Sequence, residues 1–198
     1  MLFIFDMGGV VTLNTPPETK IASALGVTAE EFRAAQKLGE SGNLFSLLTR
    51  GKISEAEFWS EVGANLGKKI ESNLWQFFFH PKMNLDVKKI ILSLRKRHRV
   101  VCGTNTIESH WQCHLARGDY SIFDETYASQ KIGFEKPDAE FWKKILLSEG
   151  YEPGETFFTD DREQNVEAAR ALGITSHKFE NASSLKKAVK EFLKLAHA

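Results

Sequence analysis

Apolar residues along the chain fall into short continuous runs, separated by longer stretches with helical spacing. The runs are Leu2–Phe5, Val100–Cys102, a weaker Glu125–Ala128, Thr156–Phe158 and a more polar Ile174–Phe179. Runs this short, bounded by Gly, Asp or Asn, predict strands buried in a parallel sheet. Between them, residues 86–97 place Val87, Ile90, Ile91 and Leu94 three and four apart. Residues 138–149 do the same with Phe141, Ile145 and Leu146, and residues 165–172 end at Gly173, a good helix stop. Residues 183–195 form a last amphipathic pattern on Leu185, Val189, Phe192 and Leu193. Strands alternating with helices predict βαβ units and an α/β doubly wound parallel sheet.

The first strand and the next convincing one are far apart. From about Asn14 to His80 the pattern is helical throughout, with apolar faces on Phe32, Phe45, Phe58, Trp59 and Trp75, punctuated by Gly26, Gly39, Gly51 and Gly67. This predicts a small all-helical insertion over 14–80 and a core built from 1–13 and 81–198. A length of 198 residues accommodates both.

Composition narrows the classes. Lys+Arg and Asp+Glu are both 26, giving a net charge of +0, and a nucleic-acid binder usually shows a basic excess or stripe. The one basic run, Arg95–Arg99, follows an apolar helical segment and precedes Val100, so it reads as a solvated helix end. No run approaches the roughly 18 apolar residues of a membrane span. The N-terminal run stops at Asp6 and has no basic leader. Cys102 and Cys113 form no metal-ligand spacing, and Cys102 sits in an apolar run. These features predict a cytoplasmic protein with no nucleic-acid or membrane partner.

Ligands of open α/β sheets bind beyond the carboxyl ends of the strands. There the sequence offers Asp6-Met7-Gly8-Gly9 after the first strand and Gly103-Thr104-Asn105 after the second. Lys136 follows the third, and Asp160-Asp161 the fourth. A carboxylate can attack phosphorus and divide one difficult displacement into two. Clustered carboxylates repel unless a cation joins them, and Mg2+ prefers hard oxygen ligands. No other charge partner for Asp160 and Asp161 can be named from sequence. A Lys and a Thr hydroxyl can hold phosphoryl oxygens as charge develops on them.

In this order, the segments resemble the four motifs of the haloacid dehalogenase-like (HAD) superfamily. They are Phe3–Val10, Val100–Asn105, Gly133-Phe134-Glu135-Lys136-Pro137, and Phe157–Asp161 followed by Asn165 and Gly173. The resemblance implies that Asp6 is a covalent nucleophile and a Mg2+ ligand. It also implies the Gly8 carbonyl, Asp160 and Asp161 as the rest of the metal site, and Thr104, Asn105 and Lys136 as phosphoryl binders. The insertion resembles the superfamily's helical C1 cap, and the implied substrate is a small phosphate monoester. Oligomeric state, monomer or homodimer, stays open.

One position departs from the commonest motif. Most phosphatases of this superfamily carry a second Asp, a general acid and base, where this chain has Gly8. Such a loss costs about 10²–10⁴-fold if nothing replaces it. A subgroup resembling bacterial sugar-phosphate phosphatases, including an α-D-glucose-1-phosphate phosphatase, shares the Asp-x-Gly pattern. Alternatives are a dehalogenase attacking carbon, which needs no metal, a mutase, and a non-catalytic binding protein. Glu40, Asn43, Arg50, His80, His110 and Trp111 are further candidates to face the site.

Overall fold

The computed structural model describes residues 1–13, 17–39 and 42–195. Asn14 and Glu40 lie outside them. The chain opens with strand β1 (Leu2–Phe5) and a two-residue β2 (Thr12–Leu13). Helices α1 (Glu18–Leu25) and α2 (Ala29–Ala34) follow, then short strands β3 (Lys37–Leu38) and β4 (Gly42–Asn43). Next come α3 (Leu44–Thr49), α4 (Glu55–Leu66), α5 (Leu74–Phe78) and β5 (Lys82–Met83). The second half runs α6 (Leu85–Leu94), β6 (Arg99–Thr104), α7 (Glu108–Ala116), β7 (Glu125–Ala128) and α8 (Ser129–Ile132). It ends with α9 (Ala139–Glu149), β8 (Thr156–Asp160), α10 (Glu163–Ala171), β9 (Thr175–Lys178) and α11 (Ala182–Leu195).

The five long strands form one parallel sheet in the order β7-β6-β1-β8-β9. All four residues of β1 are fully buried, because helices cover both faces of the sheet. Phe3 and Phe5 pack on one side with Val87 and Ile91 of α6 and Leu185 and Phe192 of α11. Leu2 and Ile4 pack on the other with Phe141, Trp142 and Ile145 of α9. Two buried faces explain why these strands read as continuous apolar runs. The order turns at β1, which has β6 on one side and β8 on the other. The crevice at the carboxyl ends of these strands is the topological switch point.

The helices between β1 and β6 carry a cluster of their own around Phe32, Leu48, Phe58, Trp59 and Trp75, to which the second half contributes Ile107. Ser54–Glu57 and Thr28–Glu31 form capping boxes that start α4 and α2. One feature goes beyond the all-helical expectation for 14–80, the antiparallel pair of β3 and β4; a second short antiparallel pair, β2 with β5, lies just outside that segment at its two ends. The basic run is divided between ion pairs. Arg95 reaches Asp124 at 2.8 Å and Arg99 reaches Glu149 at 2.6 Å. No helix among the described residues is long and apolar enough to cross a membrane.

Candidate active site

Asp6 follows β1 directly, and its backbone N–H donates to Thr159 of β8 at 3.0 Å. The chain then turns sharply, with Val11 and Thr12 N–H both donating to the Met7 carbonyl. Gly9 permits the turn with φ +84°. A Cβ there would also fall 2.6 Å from Asp161 Cγ, so glycine lets the Asp161 carboxylate lie against the backbone. Gly8 accepts no hydrogen bond at its carbonyl among the described residues, which leaves that oxygen available.

Lys136 joins the carboxylates. Its Nζ donates to Asp6 Oδ1 at 2.7 Å, to Asp160 Oδ2 at 2.6 Å and to the Gly103 carbonyl at 2.9 Å. The charge partner that sequence could not name for Asp160 is therefore Lys136, 24 residues upstream. Asp160 is fully buried and also accepts Asn165 Nδ2 at both oxygens and the Arg162 N–H. Asn105 grips the backbone of Lys136 from both sides, donating to its carbonyl and accepting its N–H, each at 2.8 Å. Thr104 is buried at the end of β6 and lines the same cavity.

Asp6, Asp160 and Asp161 each offer an oxygen within 4.8 Å of the others. Burial pushes the Asp6 carboxyl up to about 7; Lys136 opposes this and the Asp160 charge adds to it. Burial and then Asp160 raise Asp161 as well. Burial alone would lower Lys136, but the Asp160 and Asp6 charges hold it above its ordinary range. Three carboxylates against one ammonium leave an excess of negative charge on hard oxygens, and this donor set fits Mg2+.

These groups form the floor of a cavity of about 570 Å3 whose roof comes from the helices between β1 and β6. Among the further candidates, Asn43 and His110 line it. Asn43 also caps α3 through Oδ1. Arg50, His80 and Trp111 do not line it: Arg50 pairs with Glu135 and Asp138, and Trp111 stacks on Tyr120 at 4.6 Å. Gln36, Phe45, Trp75, Phe79 and His114 line it without having been singled out by sequence. The dense aromatic stretch at 75–79 was a signal for Trp75 and Phe79 alone.

The two histidines are poor proton donors. His110 Nε2 meets the Trp75 carbonyl at 3.3 Å, so that nitrogen carries the hydrogen, and the ring stacks on Phe79 at 3.7 Å. Burial lowers its pKa to about 3. His114 Nδ1 is committed to Asp119 at 2.9 Å, and burial lowers its pKa too. Both rings are neutral near pH 7, with their N–H groups spent on internal acceptors. A larger groove, about 990 Å3 between α6 and α11, contains none of this chemistry.

Comparison with known proteins agrees with the geometry. Residues 1–173 match the haloacid dehalogenase-like hydrolase family. The chain belongs to that family. It is 28% identical over 196 residues to a D-ribitol-5-phosphate phosphatase of Bacteroides thetaiotaomicron, covering 91% of this chain and 92% of the relative. A HAD family enzyme from the same organism, solved with magnesium and inorganic phosphate, superposes with a TM-score of 0.75. The two are 26% identical, covering 93% of this chain and 98% of that one. A HAD-like hydrolase from Porphyromonas gingivalis gives a TM-score of 0.80, also at 26% identity, over 97% of both chains. The HAD-like core is thus the five-stranded sheet, with the acidic cluster at its switch point.

Proposed function

We propose that this HAD-like hydrolase is a Mg2+-dependent phosphatase of small phosphate monoesters, working through an aspartyl phosphate on Asp6. The observation that carries the reading is the buried set Asp6, Lys136 and Asp160, with Asp161 beside it, at the switch point of the sheet. Asp6 attacks phosphorus, the bond to the leaving oxygen breaks, and the phosphoryl group passes to the carboxylate. Water then attacks phosphorus, breaking the bond to Asp6 and releasing phosphate. Thr104, the Asn105 backbone and Lys136 hold phosphoryl oxygens as charge builds on them. Mg2+, held by Asp6, the Gly8 carbonyl, Asp160 and Asp161, would offset phosphoryl charge.

Residues 14–80 act as the cap over this site in the proposal, with 1–13 and 81–198 as the core. The leaving group would meet the amides of Gln36 and Asn43 and the rings of Phe45 and Phe79, a mixture suited to the hydroxyls and C–H faces of a sugar-like group. The Bacteroides relative's substrate, D-ribitol 5-phosphate, is of that kind. The free cysteines, one of them fully buried, suit the cytoplasm.

The test is release of phosphate from p-nitrophenyl phosphate with and without Mg2+, in wild type and D6N. Wild type should turn over only with the metal, and D6N should fall to about 1% or less. Phosphate release indifferent to EDTA would remove the metal, no phosphate release at all would favour the dehalogenase chemistry, and an active D6N would remove the covalent step.

A further inference from the structure

The loop that carries Lys136 is fastened to α3 by the residue just before it. Glu135 lies in the cavity wall beside Ser46 and Thr49. Its Oε1 accepts the Ser46 hydroxyl and Arg50 Nε, the latter at 3.1 Å, and its Oε2 accepts the Thr49 hydroxyl. Arg50 also reaches Asp138 Oδ2 at 2.8 Å. Among the described residues, every hydrogen-bond donor to the Glu135 carboxylate comes from α3 or the residue that ends it. Both acceptors, Glu135 and Asp138, come from the short loop around Lys136.

The two carboxylates are not equal. The Glu135 side chain is 14% exposed, that of Asp138 40%. Exposed ion pairs contribute little, whereas shielded hydrogen bonds are stronger and costly to break. The fastening therefore rests on Glu135. One residue on, the Lys136 backbone is held by Asn105 and its Nζ bridges Asp6 and Asp160. The loop has two anchors: Asn105, which follows β6, and Glu135, which ties it to α3.

We infer that Glu135 is a positioning residue, setting Lys136 against Asp6 by tying its loop to α3. Lys136 then reaches its working place only while α3 is docked. A leaving group resting on the Ser46–Thr49 wall would hold α3 there, so occupancy of the cavity is transmitted to the lysine. The role of Lys136 rests on the phosphatase reading; the tie itself does not.

The experiment compares wild type, E135A, E135Q and the double variant S46A/T49V. The readouts are steady-state kinetics on p-nitrophenyl phosphate with Mg2+, inhibition by inorganic phosphate, and hydrogen–deuterium exchange. E135A should lower kcat by about tenfold or more and weaken phosphate inhibition, because a small misplacement of a catalytic group is expensive. E135Q keeps an oxygen for the hydroxyls and should restore most of kcat. S46A/T49V cuts the tie from the other side, leaves the loop sequence intact and should reproduce E135A, even if E135A itself folds poorly. Exchange should rise at 44–50 and 133–138 in the severed variants and stay unchanged across the sheet. A raised KM with kcat unaltered would overturn the positioning role, as would equal losses in E135Q and E135A. If wild type releases no phosphate, the phosphatase reading falls and exchange decides the tie alone. Unaltered exchange at both segments would then overturn it.

Discussion

Gly8 and Gly9 are adjacent, yet the fold constrains them differently. Gly9 needs its positive φ, and a side chain there would collide with Asp161. Gly8 has no positive φ, and a Cβ there meets nothing within 4 Å. G9A should therefore displace Asp161 and abolish turnover, while G8A should fold and stay active. G8D puts a carboxyl where the superfamily usually has its general acid. Neither cavity histidine is free to replace that acid, so leaving-group pKa should govern the wild-type rate. Across phosphate esters of graded leaving-group pKa, G8D should raise alkyl ester rates about tenfold or more and aryl rates little. A flat wild-type profile would mean that another group already donates the proton. The proposed site residues were legible because each ends a strand or follows one within three residues, except Lys136, which precedes a proline. The grip of Asn105 on Lys136, and Lys136 as the partner of Asp160, were not. Contacts across 31 and 24 residues leave no spacing signature in a single sequence.

At the scale of elements, every strand of the sheet was readable but not equally: burial on both faces makes β1 and the centres of β6 and β8 apolar runs with sharp ends, whereas the edge strands β7 and β9 are more exposed and gave the weaker, more polar signals. The strand β6 is longer than its apolar core because the backbone continues the ladder whatever the side chain, with Arg99 opposite Leu2 and Thr104 opposite Ala128. The pairs β2–β5 and β3–β4 were invisible, as two residues cannot show a period. Gly51 and Gly67 looked alike in sequence, both punctuating helices, and both have positive φ. Their surroundings separate them. A Cβ at Gly67 meets open space; at Gly51 it meets the Gln130 carbonyl, where the end of α3 approaches α8. G67A should cost about 1–2 kcal/mol, the strain of the left-handed backbone. G51A should cost about 3 kcal/mol or more, because a backbone carbonyl cannot yield cheaply. Urea unfolding of both variants measures this, and equal losses would refute the close approach. G51A should also lower turnover by shifting α3 from the loop that holds Lys136.

Across the whole molecule the charges cancel, yet at the switch point three carboxylates face one ammonium. That local imbalance is held in place by the fold against its own electrostatics, and the three acids do not share the strain equally. Asp160 is tied by Lys136, Asn165 and the Arg162 N–H, so removing it would orphan several buried donors and damage the fold. Burial and then Asp160, the larger effects, disfavour the Asp161 charge, while the nearby Arg162 charge, its own backbone N–H and the Lys136 charge favour it. D161N removes a charge whose net surroundings are repulsive and gives up these weaker attractions. In EDTA it should therefore melt no lower than wild type, with a small gain at most because Asp161 is exposed and its charge screened. Adding Mg2+ reverses the comparison. A cation that binds only the folded state raises wild-type Tm with concentration, and D161N should respond weakly or not at all. Thermal melts of both proteins, with EDTA and across a Mg2+ series, separate the two effects. A D161N that melts below wild type in EDTA would show that Asp161 stabilises the fold directly. A D161N that gains as much from Mg2+ as wild type would remove it from the metal site, leaving Asp6, Asp160 and the Gly8 carbonyl.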